Sequence, residues 1–256
     1  KYKENLNFLF TGITGSGKYT LAKAFVAELF GNDVYKTKKV VIKIKTKEIE
    51  IKQSKNHYEI FLNNYFLNDK ITFNSLITEL TSNINISTLS QNIFIIRNID
   101  LLDKETIHVF KKIMEKTFGS AFYIVLTNNG SKTNTLNCLC NNIRVAYPSN
   151  NEIIEFFKER TLIPIDNSEN LNIIKETKDL NFIFSKIEMK MIGVKNSKIN
   201  KNIFDENLEI ILKNIMTCKP NNLIKIRETV YNIICKNFDK NKIFNYIVKN
   251  LITNKN

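Results

Sequence analysis

Short apolar segments alternate with amphipathic ones in the first part of the chain. Runs of apolar, β-branched and aromatic residues predict four strands, at Asn7–Thr11, Asn92–Ile96, Ala121–Thr127 and Ile143–Ala146, of which the first two are predicted to be buried. Apolar residues at helical spacing predict three helices between them, marked by Leu21 to Leu29, Phe73 to Leu80 and Val109 to Met114. This alternation predicts an α/β fold with a parallel sheet covered by helices on both faces.

Two stretches depart from this alternation. Lys39–Leu62 alternates polar and apolar residues, which predicts antiparallel strands or an inserted hairpin. After Pro148 the pattern is helical throughout, with three helices at Ile153 to Phe157, at Leu171 to Ile174 and over Leu180–Met191. The polar stretch Lys195–Asn202 is predicted to be a linker, and two amphipathic helices follow it, at Leu208 to Ile215 and at Leu223 to Ile234.

Composition narrows the class of protein. The chain has 256 residues, 43% of them hydrophobic, enough for two or three domains, and no apolar run approaches the roughly 20 residues of a membrane-spanning helix. Because it starts at Lys1, we expect it to be part of a longer chain, which leaves room for a targeting signal outside this sequence. The four cysteines lack zinc-ligand spacing and are expected to be free thiols in a reducing compartment.

The net charge of +13 indicates a polyanionic partner, with nucleic acid first. A compositional bias toward Lys, Asn and Ile accounts for part of this charge.

A glycine-rich loop lies between the first strand and the first helix. It has the pattern G-x-x-x-x-G-K, whose backbone N–H groups and lysine bind phosphate at a helix N-terminus. The sequence therefore predicts a nucleotide site; the alternative is a vestigial loop that keeps its shape without a ligand. The predicted binding residues are Gly12, Thr14, Gly15, Ser16, Gly17 and Lys18.

The magnesium-binding half of such a site departs from the pattern. Tyr19 stands where a Ser or Thr hydroxyl would ligate Mg²⁺, and Thr20 comes one place later. Phosphate binding is expected to survive in this loop, with Tyr19 and Thr20 beside the phosphates, but the hydroxyl that would place Mg²⁺ is missing after Lys18. Arg97 and Asn98 follow the NIFII strand where an Asp and a water-activating Glu are expected.

Two polar residues after the strands have open interpretations. Arg97 either neutralises nucleotide charge without metal or pairs with Asp100 or Asp103 at the sheet edge. Asn128, after the next strand, either meets a γ-phosphate or its water or serves as a turn residue.

Together these segments resemble the AAA+ ATPases, and among them the replication factor C small subunits. The loop GSGKYT resembles that of a small subunit with a weakened ATPase site, and TKEIEIKQ…NHYEIFL resembles its hairpin. LDKETIHVFKKIMEK resembles the family's helix with a basic pair, and NLIKIRETVYNIIC resembles the start of its collar domain. The resemblance implies an AAA+ P-loop NTPase fold with a five-stranded parallel sheet, a helical lid and the start of an all-α collar. The implied boundaries are 1–147, 148–194 and 195–256.

The same resemblance exposes further departures. The family's arginine finger aligns with Leu139, its γ-phosphate-sensing lid arginine with Asn181, and its glutamine on the helix after the second motif with Ile107. The resemblance thus implies a subunit that binds ATP or ADP without hydrolysing it. Its implied partners are the other subunits of a five-membered clamp loader, a sliding clamp and primer-template DNA contacted by Lys111 and Lys112, in the nucleus or in a cytoplasmic viral factory.

Two other functions fit the residues less well. The first is an assembly subunit of the same kind of complex that no longer binds nucleotide. The second is a stand-alone P-loop NTPase, such as a helicase loader or nucleotide kinase. The missing carboxylates at Arg97 and Asn98 argue against the second, as does the collar-like tail.

Overall fold

The computed structural model describes residues 7–44, 47–62, 70–82, 92–160, 174, 179–191, 203–217, 222–235 and 240–253. It divides the chain into two compact units, one ending at Ile183 and the other beginning at Phe184. This division does not test the three predicted domains, whose boundaries stay a prediction. The predicted linker Lys195–Asn202 lies outside the described residues, as do Leu171 and Ile173 of the predicted second lid helix.

The N-terminal unit is built on one sheet whose central strands run parallel. The spatial order of these strands is β4-β5-β6-β1-β7. The five-stranded parallel sheet predicted from the sequence is thereby confirmed. The strands are β1 Phe8–Thr11, β4 His57–Phe61, β5 Asn92–Arg97, β6 Ala121–Thr127 and β7 Asn141–Arg144.

A hairpin extends this sheet to seven strands. Its strands, β2 Lys38–Ile44 and β3 Lys47–Gln53, pair antiparallel with each other, and β3 pairs antiparallel with β4. In β3, buried Ile49 and Ile51 alternate with exposed charged residues, the pattern of a strand with one wet face. The hairpin predicted from alternation is confirmed, although the last strand of that stretch belongs to the parallel part.

The strands β5 and β6, in the middle of the sheet, are buried on both faces because helices cover both. Successive residues of a strand point to opposite faces. Along β6, Tyr123 and Val125 pack in one apolar cluster and Phe122 and Ile124 in the other. The helices that cover the sheet are α1 Lys18–Phe30, α2 Lys70–Ser82 and α3 Lys104–Lys116.

The remaining described elements are helical, as the sequence predicted for the part after Pro148. They are α4 Asn150–Arg160, α5 Leu180–Met191, α6 Ile203–Met216, α7 Asn222–Cys235 and α8 Lys240–Thr253. The last three form a separate small core around Leu208, Ile211, Ile233 and Ile243. Within the described ranges, no helix combines the length and apolarity that crossing a bilayer requires.

Parallel strands end at the same edge of a sheet, and in open α/β folds ligands bind along that edge. Here it carries the turns after β1, β5 and β6, where the sequence placed the candidate site residues. We call it the carboxyl edge.

Candidate functional site

The glycine-rich loop after β1, residues 12–18, needs its glycines for backbone and packing reasons; we call it the P-loop. Gly15 and Gly17 have φ angles of 78° and 84°, a region that disfavours other residues. A Cβ at Gly12 would collide with the carbonyl oxygen of Val145, and one at Gly15 would collide with Asp179. The Gly12 N–H donates to Thr127 O at 3.3 Å, which ties the loop to the end of β6.

The start of α5 packs directly on this loop. Asp179 lies against Gly15, and the Leu180 N–H donates to Gly15 O at 3.2 Å. Asn181, which the resemblance aligns with a phosphate-sensing arginine, is exposed, and its backbone N–H donates to Asp179 Oδ1 at 3.0 Å. An uncharged amide at this position cannot supply the charge of the arginine it replaces.

Lys18 is the charged centre of the P-loop. Its side chain is buried, and Nζ donates to Gly12 O at 2.9 Å and Ile13 O at 2.6 Å. Burial lowers the pKa of Lys18, and the charge of Asp100 acts in the opposite direction. No described carboxylate forms an ion pair with this ammonium group, so its direct partners are backbone carbonyl oxygens and Asp100 acts on it only through space.

Two further features fit the P-loop to a phosphate. Ser16 Oγ is buried and has no hydrogen-bond partner among the described residues. No side chain caps the N-terminus of α1, so its first N–H groups point at the loop without a side-chain acceptor. The residues present therefore fit the phosphates of a nucleotide: backbone N–H groups and Lys18 would hold them, and Ser16 would donate to them.

The other predicted binding residues lie at the surface near the same edge. Thr14 and Thr20 are exposed, in the loop and in the first turn of α1. Asn128 is also exposed, directly after β6, and its backbone N–H donates to Asp100 Oδ1 at 3.0 Å. The structure thus brings the strand ends and the P-loop to one edge, while the ligand contacts of Thr14, Thr20 and Asn128 stay predictions.

Tyr19 lies in a contact that the sequence did not indicate. Its hydroxyl donates to Glu59 Oε2 at 2.7 Å, 40 residues along the chain, where β4 runs beside β5. Burial and the hydrogen bond to Glu59 both raise the pKa of Tyr19, so the phenol stays protonated. The hydroxyl is therefore committed to a protein carboxylate.

Glu59 holds three partners at once. Lys23 Nζ lies 3.1 Å from Oε1, and His57 Nε2 lies 3.0 Å from the same oxygen, while Tyr19 donates to Oε2. Burial alone raises the pKa of Glu59, but the hydrogen bonds from His57, Tyr19 and Lys23 outweigh it and bring the value to about 2. We call Glu59, Tyr19, Lys23 and His57 the Glu59 cluster.

Sequence patterns could have found part of the Glu59 cluster. His57 and Glu59 are two residues apart in a strand, so they share one face, and both are buried. A buried acid in an apolar strand calls for a cationic or hydrogen-bonding partner. The partners of Glu59 are set by how α1 packs on the sheet, and this packing cannot be predicted from spacing along the sequence.

Arg97, at the end of β5, lies between two aromatic rings. Its guanidinium carbon is 4.1 Å from the centre of the Tyr19 ring and 4.5 Å from that of Phe61. In the described part of the chain no acid forms an ion pair with Arg97, and Asp100 instead accepts from Thr127 Oγ1 at 3.3 Å. The structure therefore does not support the pairing of Arg97 with Asp100 or Asp103 that the sequence left open.

These residues do not fit a bound Mg²⁺. The hydroxyl that follows Lys18 is a phenol bonded to Glu59, and the strand end that should carry a carboxylate carries a guanidinium. Asn98 follows in a left-handed conformation with φ 60°, and an amide cannot accept a proton from water. Among the described residues, the positions that would orient a metal and activate water carry Tyr19, Arg97 and Asn98 instead.

Two further residues that depart from the family's pattern, Leu139 and Ile107, pack in or against the apolar core. Leu139, aligned with the arginine finger, is half-buried and packs against the main apolar cluster beside buried Cys140. Ile107, aligned with the family's glutamine, is fully buried on α3. Both side chains thus contribute to packing and have no group that reaches a phosphate.

The predicted DNA-contacting pair lies on α3. Lys112 is exposed, and Lys111 is half-buried with its Nζ 4.0 Å from Glu115 Oε1, at the limit of an ion pair. A contact this long and partly exposed contributes little to stability. Both ammonium groups thus stay accessible to a polyanion.

The strand order and the P-loop are those of the AAA+ P-loop fold. The solved structure titled "Structure of the Aeropyrum pernix ORC1 protein in complex with DNA" matches with a TM-score of 0.51 and 13% identity, covering 83% of this chain and 66% of that chain. A likeness at this identity bears on the fold alone. It agrees with the AAA+ fold predicted from the sequence.

The sequence is similar to replication factor C small subunits, as its motifs implied. It is 29% identical to Replication factor C subunit 3 of Arabidopsis thaliana and 30% identical to Replication factor C subunit 5 of Oryza sativa, each over 161 residues, or 58% of this chain. A putative replication factor C small subunit of Acanthamoeba polyphaga mimivirus is 26% identical over 96% of this chain and 70% of its own length. The chain spans about half the length of the two plant relatives, 46% of each. No family model matches the chain.

Proposed function

We propose that this chain is a subunit of a replication factor C-type clamp loader that holds ATP or ADP in its P-loop and does not hydrolyse it. The observation that supports the proposal is a P-loop whose residues fit phosphate, next to positions that carry Tyr19, Arg97 and Asn98 where a metal-binding hydroxyl and two carboxylates are expected. Buried Lys18 and Ser16 Oγ support phosphate binding, while Tyr19 and Arg97 stand where the metal-orienting groups are needed. The similarity to replication factor C small subunits supports the kind of complex.

The nucleotide in this proposal has a structural task. The P-loop touches β6 through Thr127 and α5 through Asp179 and Leu180, so a ligand there contacts a loop that joins the sheet to α5. Hydrolysis would need an activated water, and position 98 offers an amide in place of a general base. The chain would also give a neighbouring subunit no arginine finger, because Leu139 packs into its own core.

A single-turnover experiment tests the absence of hydrolysis. We expect radiolabelled ATP, incubated with excess folded chain and Mg²⁺, to be recovered intact, because no described group activates water. Binding is confirmed in the same sample by filter retention of the label. Release of labelled phosphate at a rate proportional to the concentration of chain would contradict the proposal.

We further propose that Lys111 and Lys112 contact DNA, and this contact predicts how the affinity for DNA changes with salt. Replacing Lys111 or Lys112 by glutamine should weaken binding to primer-template DNA equally for all sequences. Each change should lower the slope of log affinity against log salt by about one unit. Fluorescence anisotropy over a salt series measures this slope.

Lys36→Gln is the matched control for both lysines, because Lys36 is an exposed lysine paired with Asp33. Its salt slope should stay at the wild-type value. An unchanged slope in both α3 variants would remove them from the DNA interface.

A further inference from the structure

Tyr19 and Arg97 stand at the two sequence positions where the groups that bind and orient a divalent cation are expected, after the P-loop lysine and at the end of β5. Tyr19 directly follows Lys18, and the Arg97 guanidinium lies on its ring at 4.1 Å. The edge therefore carries a fixed positive charge in the place of a metal site. We infer that this chain binds nucleotide without a divalent cation and that Arg97 supplies the positive charge the cation would bring; this rests on the nucleotide binding proposed above.

The aromatic rings fix the guanidinium without using its donors. The guanidinium carbon lies over the Tyr19 ring and over the Phe61 ring, and neither cation–π contact pairs one of the five N–H donors with an oxygen or nitrogen acceptor. Phe61 and Arg97 are register partners on β4 and β5, so the stack is built into the sheet. With no ion pair to an acid among the described residues, the N–H donors stay available for phosphate oxygens, which guanidinium binds in a two-pronged manner.

The Glu59 cluster fixes the Tyr19 ring on which the Arg97 guanidinium lies. The Tyr19 hydroxyl is bonded to Glu59, so the ring cannot turn its oxygen toward the loop without breaking a buried hydrogen bond. Lys23 and His57 take the remaining oxygen of Glu59, which leaves this carboxylate no position for a metal. Asp100, in the turn after β5, accepts from Thr127 Oγ1 and from the Asn128 N–H, both through Oδ1.

Charge repulsion adds to the missing ligands. A cation of charge two brought beside the guanidinium meets like charge in a partly buried site, where screening by water is weakened. Free nucleotide, which carries more negative charge than its magnesium complex, gains from the same field. The geometry thus favours the metal-free form of the ligand.

Titration calorimetry of the full chain with ADP tests this inference, once with Mg²⁺ and once with excess EDTA. We expect the two dissociation constants to agree within about threefold, less than 1 kcal/mol. A loss of more than about tenfold in EDTA would overturn the inference and leave nucleotide binding intact. Absence of binding in both buffers would instead overturn the proposed nucleotide binding itself.

Variants of Arg97 separate charge from packing. Arg97→Met, measured in EDTA, should weaken ADP binding by about tenfold or more, because a charged donor to phosphate is lost. Arg97→Lys keeps the charge and should recover most of the affinity. If circular dichroism shows that both variants are folded and Arg97→Lys binds ADP as weakly as Arg97→Met, the charge of Arg97 does not account for ADP binding.

A matched control is Arg227→Met in the C-terminal unit. Arg227 also lies over a tyrosine ring, with its guanidinium carbon 5.5 Å from the centre of Tyr231. Its loss should leave ADP affinity unchanged in both buffers. An equal loss of affinity in Arg97→Met and Arg227→Met would assign the effect to general destabilisation and refute the role of Arg97.

Discussion

Changing Lys18 to alanine is expected to weaken ADP binding by about a hundredfold, the largest effect of any single substitution in the P-loop. Lys18 Nζ lies inside the loop on Gly12 O and Ile13 O, with burial that lowers its pKa and no described acid paired with it. A phosphate would give this buried ammonium its missing counter-charge, and charge-assisted hydrogen bonds are about twice as strong as neutral ones. Titration calorimetry of the full chain measures the loss.

The control for this variant is Lys36→Ala. Lys36 is exposed and pairs with Asp33 on the surface, so its removal takes away one lysine of equal charge without touching the P-loop. Its ADP affinity should equal that of the wild-type chain. A folded Lys18→Ala chain that binds ADP within about threefold of the wild type would show that the lysine does not contact phosphate.

Replacing Glu59 with alanine is expected to lower the free energy of unfolding by about 3–5 kcal/mol. Glu59 is buried, and its loss leaves Lys23, Tyr19 and His57 without their common partner. The Lys23 side chain is only 14% exposed, so water replaces the lost contact less well than it would for a surface lysine. Urea denaturation followed by circular dichroism gives the difference.

Glu48→Ala is the comparison for Glu59→Ala. Glu48 pairs with Lys43 on the hairpin surface at 3.1 Å, and both side chains are well exposed. Such pairs contribute about 1 kcal/mol or less. Similar losses for the two variants would contradict the assignment of Glu59 as a buried anchor.

The same carboxylate makes the fold sensitive to acid. The pKa of Glu59 is held at about 2 in the folded chain against an ordinary value of 4.5. Ionised Glu59 therefore contributes roughly 3 kcal/mol to the free energy of unfolding. This contribution is fully present above pH 4.5 and is lost as the pH falls toward 2. The Glu59→Ala chain should lack this part of the acid sensitivity when stability is measured across that range.

Local patterns predicted the elements that build the sheet. The NIFII and AFYIVLT segments are apolar except for Asn92 and Thr127 at their ends, as expected of strands covered on both faces, and they form most of β5 and all of β6. Glycine spacing and the lysine predicted the P-loop, because a bend of this kind needs φ angles that Gly15 and Gly17 adopt. These signals lie within a few residues of each other, so sequence alone carries them.

The contacts around Arg97 could not be predicted from spacing. The sequence suggested Asp100 or Asp103 as partners because they are close along the chain. The structure instead places Arg97 between Tyr19 and Phe61, which the order of the strands brings to the same edge. The Glu59 cluster has the same origin, since Tyr19 and Glu59 meet only through the packing of α1 on β4. Contacts between residues far apart in the sequence therefore determine which side chains meet at this edge.

The nucleotide content of the purified chain tests the central claim most directly. The chain is denatured, and the supernatant is separated by anion-exchange chromatography against ATP and ADP standards. We predict close to one ADP or ATP per chain, retained by the P-loop through Lys18 and the uncapped start of α1. A purified, folded chain that contains no nucleotide and binds no added ATP or ADP would contradict the account and identify the chain as a subunit that serves assembly alone.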